Sequence, residues 1–376
     1  MRPPRFEQFF AVRRFNLLSN LDFSPDGTRI SYCQDTSGQF NLWSSPVVGG
    51  WQQQLTSLEE SAVRFHAWTR HGFALAIDHH GDELWQVNRL PEAGGWPEDL
   101  TQRPDARFQF GPAGVDDSGA RLLVAGNATR ATDLSVYELD LETGRRRALV
   151  EAEGNWSPGA WHPDCRRFLV SRVHHNTNQD VYLAGAGEPA LLTPHQGDQV
   201  NFPVGFSANG EEWFCVTDED ADCLWLAVQP LAGGDRRPLV RADWDVEHAV
   251  LSGDRRRLAY TIDEDGFSRV HALDLESGAE LPVPALPVGL CKEIALSPDG
   301  RTLAVVSEGT VTLLNMATRQ ELALPRGHAS AVTGLAFSPD GRTLASAALD
   351  GTVRLWRAAS FQEADPLQVT AITSDR

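Results

Sequence analysis

Apolar and polar positions along this chain alternate in short runs, and clusters of Gly, Pro, Asp, Asn and Ser separate the runs. That is the pattern of brief, half-buried strands joined by tight turns rather than of helices. Residues 327–357, GHASAVTGLAFSPDGRTLASAALDGTVRLWR, write out one complete unit. Val332–Phe337 reads as an inner strand, Ser338-Pro339-Asp340-Gly341 as a tight turn and residues 343–347 as a second strand. Leu349-Asp350-Gly351 then makes a hairpin turn into a third strand at 352–356. One such sheet leaves two faces and an edge bare, so it predicts further copies stacked against it.

The turn after the first strand recurs at Gly27, Gly72, Gly119, Cys165, Gly210, Asp254, Gly300 and Gly341, in steps of 45, 47, 46, 45, 44, 46 and 41 residues. A bulky residue late in the third strand follows each turn: Trp43, Trp85, Tyr137, Tyr182, Trp225, His271, Leu313 and Trp356. Two markers on one period predict an all-β fold, a single β-propeller of eight four-stranded blades, with seven as the alternative. The blades fall near residues 21–56, 62–101, 107–150, 155–193, 200–240, 245–284, 288–324 and 327–372. Residues 366–372, PLQVTAI, supply the outer strand of the last. Residues 1–20 stand apart as an N-terminal segment. Phe6, Phe9, Phe10 and Arg13 keep helical spacing there, which predicts a short amphipathic helix on the ring, the alternative being an edge strand that closes the last blade.

The unit at 327–357 resembles a WD-repeat blade. In that family a His, a Ser or Thr, an Asp and a Trp form a hydrogen-bonded cluster inside the blade, and the matching positions are His328, Ser346, Asp350 and Trp356. The usual final Asp is Arg357. The resemblance implies that these four residues are structural. Residues 7–101, with LDFSPDGTRISYCQDTSGQFNLW at 21–43 and DHHGDELW at 78–85, resemble instead the N-terminal propeller of bacterial prolyl oligopeptidase family peptidases and of TolB-like proteins. EDGFSR at 264–269 continues that style, so this likeness covers blades one to six and the WD likeness blades seven and eight. A peptidase of that family needs an α/β-hydrolase domain with a nucleophile on a G-x-S-x-G elbow. The nearest strings, around Ser157 and Ser207, have the wrong spacing and lie in first-strand contexts. No catalytic residue is therefore assigned, and the expected function is non-catalytic.

The formal net charge is -18 and the pI about 5.0. Affinity for nucleic acid rests on neutralising phosphates with Lys and Arg, so nucleic acid is not an expected partner. A protein or peptide, of basic character, is. The five cysteines, Cys33, Cys165, Cys215, Cys223 and Cys291, are scattered, which fits a reduced, cytoplasmic setting. Cys215 and Cys223 flank a hairpin turn and are expected to face each other across it. Residues 1–16 lack the apolar core of a secretory signal, and no run is long enough to cross a bilayer, so no membrane is expected.

His79-His80 and His174-His175 invite a metal reading, but adjacent side chains on a strand point apart. Residues 218–222 (DEDAD) and 263–266 (DEDG) alternate carboxylates as a calcium loop does, yet lack the later ligands. No metal or cofactor is expected. Inner-strand polar residues are the candidates for a ligand in the central channel: Arg64, His66, Gln109, Asn201, Glu247, His248 and Glu293. About half of these are expected to be interblade hydrogen-bonding groups, since alternate residues of a strand face opposite ways. The turns between second and third strands are rich in acids, above all Asp218, Asp220, Asp222, Asp263 and Asp265, whereas the turns on the other side balance Arg against Asp. One face of the disc is thus expected to be acidic. Three functions fit: a scaffold for a protein or peptide, a propeller that gates or recruits a separately encoded α/β-hydrolase, and a metal-dependent hydrolase working in the channel.

Overall fold

The computed structural model describes residues 21–357 and 369–372, apart from 186, 285, 287–288, 308, 317–319 and 324–327. Among these, thirty-two strands form eight four-stranded antiparallel sheets, each with its strands in chain order. Blade 1 is Asp22–Phe23, Arg29–Gln34, Asn41–Pro46 and Gln53–Gln54; blade 8 is Val332–Phe337, Thr343–Ala348, Val353–Arg357 and Val369–Ile372. The last of these is the outer strand expected from the C-terminal tail. The expected N-terminal helix or closing strand lies outside the described residues.

Second strands are buried on both faces, as in Gly72–His79 and Thr302–Ser307, because each blade is sandwiched between two others. The core is accordingly a series of seams. Cys33, Leu42 and Leu55 of blade 1 pack with Val63, Trp68 and Phe73 of blade 2. Leu21, Phe23, Ile30 and Tyr32 of blade 1 meet Ala345, Ala347, Val353 and Leu355 of blade 8, so the described ring closes by side-chain packing and not by a shared sheet.

The repeated turn has a simple cause. Ser24 Oγ donates to Asp26 Oδ1 at 2.6 Å and accepts the Arg29 amide at 2.9 Å, while Gly27 takes a positive φ of 70°. Ser297, Asp299 and Gly300, and Ser338, Asp340 and Gly341, repeat this in blades 7 and 8. In blade 6 the turn is Ser252-Gly253-Asp254-Arg255, and the left-handed residue is Arg255, with φ 56°, not Asp254. The second marker is not one structural position. Trp43, Tyr137, Tyr182 and His271 share a register, opposite Tyr32, Val124, Val170 and Tyr260. Trp356 stands opposite Leu344, two positions further along, Trp85 precedes its strand and Trp225 opens its own. Cys215 pairs with Ala227 rather than facing Cys223, and none of the five cysteines is in a disulfide. No helix among the described residues is long and apolar enough to cross a membrane.

Candidate functional site

Strand direction alternates within each blade, so turns between second and third strands, and the links between blades, all emerge on one face. The chain also enters blade 1 and leaves blade 8 there. We term it the entry face. The expected acidic residues lie on it, and their roles divide.

In blade 5, Glu212–Thr217 turns into Trp225–Pro230 through residues 218–224. In blade 6, Arg257–Glu264 turns into Phe267–Asp274 through Asp265 and Gly266, both at positive φ (53° and 77°). Two left-handed residues in a two-residue loop match the right-handed strand twist, and Asp and Gly tolerate them. Asp220, Asp222 and Asp265 point into solvent. Asp218 is half-buried and its Oδ1 accepts the Val200 amide at 2.8 Å, which fixes the start of blade 5's inner strand. Asp263 is also half-buried. On the same face of blades 5 and 6 stand three aromatic side chains that the sequence reading missed: Phe202 at 45%, Trp244 at 43% and Phe267 at 44% exposure. Asp243 and Glu247 are exposed on the same face. Two nearby cations are committed. Arg269 pairs with Glu264 at 3.3 Å, and the Arg241 guanidinium lies 4.3 Å over the Trp225 ring.

Elsewhere on this face Glu59, Glu60, Asp82 and Glu83 at blade 2 are exposed, whereas three other acids are spent internally. Asp78 is buried against Arg64 at 2.6 Å, and Asp180 lies 2.9 Å from His174 and 3.0 Å from His195. Asp350 meets His328 at 3.1 Å and accepts the Ala329 amide at 2.8 Å. Burial opposes the Asp350 charge, but hydrogen bonds from Thr352 and Ala329 outweigh it and hold the pKa below the usual carboxylate value. Glu308 lies outside the described residues. Free carboxylates thus stand over blade 2 as well as over blades 5 and 6, and those of blades 5 and 6 share the face with the exposed Phe202, Trp244 and Phe267. On the opposite face Arg121–Asp116, Arg167–Asp164 and Arg237–Glu212 pair at 2.8, 2.8 and 3.0 Å.

The channel candidates do not converge. His66 is wholly buried, with Nε2 2.8 Å from Ser31 Oγ and Nδ1 3.6 Å from Cys33 Sγ, and burial pushes its pKa down to about 3. It is a neutral seam residue between blades 1 and 2, which corrects its assignment to the channel. Asn201 is likewise buried: its Nδ2 donates to the Gln179 carbonyl at 3.0 Å and its Oδ1 accepts from Thr217 at 3.0 Å. It ties blade 4 to blade 5. Arg64 is held by Asp78, whereas Glu247 and His248 are exposed on blade 6. Gln109 and Glu293 are half-buried. The paired histidines point apart, His174 to Asp180 and His175 to Asp198 at 3.1 Å, and among the described residues no three His, Cys, Asp or Glu side chains stand so as to hold a metal.

Comparison with known proteins gives three results. Residues 319–357 match the family model described as WD domain, G-beta repeat. Dipeptidyl aminopeptidase BIII of Pseudoxanthomonas mexicana is 23% identical over 231 residues, 60% of this chain and 33% of that protein. Among solved structures, a prolyl endopeptidase superposes with a TM-score of 0.62 at 17% identity, over 94% of this chain and 55% of its own. A puromycin-hydrolysing peptidase of Mycobacterium tuberculosis gives 0.59 at 16% identity, over 94% and 60%. At these identities the likeness to the solved structures is one of fold. This chain spans a third of the curated relative and under two thirds of the solved chains, and what it matches is the propeller portion. The described residues hold no α/β-hydrolase domain.

Proposed function

We propose that this protein is a non-catalytic propeller that binds a protein or peptide segment of basic, partly apolar character on its entry face over blades 5 and 6. One observation carries the reading: three unpaired solvent carboxylates, Asp220, Asp222 and Asp265, stand on the same blades as the half-exposed Phe202, Trp244 and Phe267. Carboxylates on turns draw in Lys and Arg, and exposed aromatic rings supply desolvated contact area of the kind that anchors interfaces. Selection from a peptide library tests this. Binders should be enriched in Lys or Arg beside aliphatic or aromatic residues, and Trp244→Ala should weaken them at least about tenfold. Binders unaffected by Trp244→Ala and Phe267→Ala would place recognition elsewhere.

A second reading, that this face seats a separately encoded α/β-hydrolase, is favoured by the likeness to peptidase propellers and by chain entry and exit on that face. On either reading the isolated protein gives no turnover of small chromogenic peptide or ester substrates. Turnover that co-purifies with the protein and vanishes on replacing a single serine would overturn both.

A further inference from the structure

The opposite face carries two tryptophans that the proposed function does not use. In blade 1 the turn from third to fourth strand reads Pro46-Val47-Val48-Gly49-Gly50-Trp51, and blade 2 repeats it as Pro91-Glu92-Ala93-Gly94-Gly95-Trp96. Both turns close in the same way, with the Gly49 amide on the Pro46 carbonyl at 3.2 Å and the Gly94 amide on the Pro91 carbonyl at 2.9 Å. Trp51 is 92% exposed and Trp96 83%. Blade 5 holds a third copy, Pro230-Leu231-Ala232-Gly233-Gly234-Asp235, closed by the Gly233 amide on the Pro230 carbonyl at 3.3 Å. With Asp235 at the sixth position the turn still forms, so it does not need the indole. The blade 2 turn is also anchored: the Gly95 amide donates to the Leu55 carbonyl at 3.0 Å, and a side chain at Gly94 would collide with that carbonyl at 2.7 Å.

Beside Trp96, between blades 2 and 3, a cleft of about 290 Å³ opens on the same face. Phe73, Leu90 and Leu141 floor it, and Trp96 forms one wall. Its charges pair off, Arg89 with Glu98 at 2.8 Å and Arg70 with Glu142 at 3.5 Å. Residues 36–58, which carry Trp51, contain no Asp, Glu, Lys, Arg or His, in a chain where 22% of residues are charged.

We propose that this sector is a self-association surface: a second copy of the chain, related by a two-fold axis, seats its Trp51 in the cleft between blades 2 and 3 and receives the reciprocal indole. A protruding apolar side chain and an apolar cleft on one face are the self-complementary pair that a two-fold interface requires. Charge selects the same sector. Two bodies of net charge -18 repel, and contact through an uncharged run beside a neutral cleft costs least. Area is adequate as well: an indole buries roughly 150–250 Å², so Trp51 and Trp96 supply about half of the roughly 800 Å² per partner in a standard interface. Val48, 83% exposed, and the cleft lip add to it. Screening the mutual repulsion strengthens this association, whereas screening weakens attraction of a basic segment to the entry face, so the two sites respond oppositely to salt.

Sedimentation velocity over a wide concentration range, at low and high salt, tests this. The expected result is a reversible monomer–dimer equilibrium that tightens with salt. Trp51→Ala should raise the dimer dissociation constant at least about 30-fold, as loss of an interface anchor does, and Trp51→Lys should do the same. At concentrations where the parent is monomeric, both variants should keep its thermal unfolding midpoint, since Trp51 is exposed. Trp244→Ala, on the other face, should leave dimerisation unchanged. A protein that stays monomeric at high concentration and high salt, or a dimer indifferent to both Trp51 substitutions, overturns the proposal.

Discussion

His328 Nε2 lies 2.7 Å from Ser346 Oγ, and that hydroxyl accepts the Trp356 indole N–H at 2.8 Å. This cluster was legible because its members sit at fixed offsets within one repeat. Trp356 is 1% exposed, so Trp356→Ala removes a large buried side chain and leaves Ser346 without its donor. It should cost about 3–5 kcal/mol by denaturant titration. An unchanged transition would mean that blade 8 is not assembled around this cluster. His66 and Asn201 were not legible in the same way. Alternation along a strand separates two faces, but in a propeller both faces of a blade are interior, so a polar inner-strand residue reads alike whether it meets the channel or a neighbour. Glu293 shows what such a position costs. Burial pushes its pKa up to about 7, against a smaller opposing pull from the Leu335 amide of the next blade. The folded state then binds a proton more tightly than the unfolded chain, so this group's contribution is fully present below pH about 4.5 and is lost as pH rises through 7. Glu293→Gln should remove that loss and gain roughly 1–3 kcal/mol near pH 8, with little change near pH 4. Equal stability gains at both pH values would assign the effect to packing instead.

At the scale of the element, the turn after the first strand was the reliable marker because its chemistry is local. A Ser or equivalent caps the turn, an Asp accepts from it, and the next residue takes positive φ. The third-strand aromatics were less reliable, since any of several positions on a doubly buried strand can hold a bulky side chain. Arg255 tests the turn directly. It occupies with φ 56° the position that Gly27, Gly300 and Gly341 fill in other blades. A side chain in the left-handed region costs roughly 1–2 kcal/mol, part of which glycine returns through its greater freedom when unfolded. Arg255→Gly should therefore stabilise the protein by up to about 1 kcal/mol in denaturant titration. A clear loss would mean that the turn has another shape.

For the whole molecule, the eight-blade ring was readable from the period, but the distribution of charge was readable only in part. Sequence counting put acids on the entry-face turns, above all at 218–222 and 263–265. The folded ring shows Asp78, Asp180 and Asp350 consumed by Arg64, by His174 with His195, and by His328, which leaves free carboxylates over blade 2 and over blades 5 and 6. The aromatic side chains on blades 5 and 6, and the pair Trp51 and Trp96 on the other face, were visible as letters without their exposure. The most direct measurement is titration of a short peptide rich in Arg and Leu against the parent and against Asp220→Asn, Asp222→Asn, Asp265→Asn combined, at low and high salt. All three residues are solvent-exposed, so the variant should fold as the parent does. The expected result is binding by the parent that weakens at least about tenfold as salt shortens the Debye length from roughly 30 Å to roughly 8 Å, and that the triple variant largely loses at low salt. Binding equal in parent and variant, or indifferent to salt, would contradict recognition at the acidic face of blades 5 and 6.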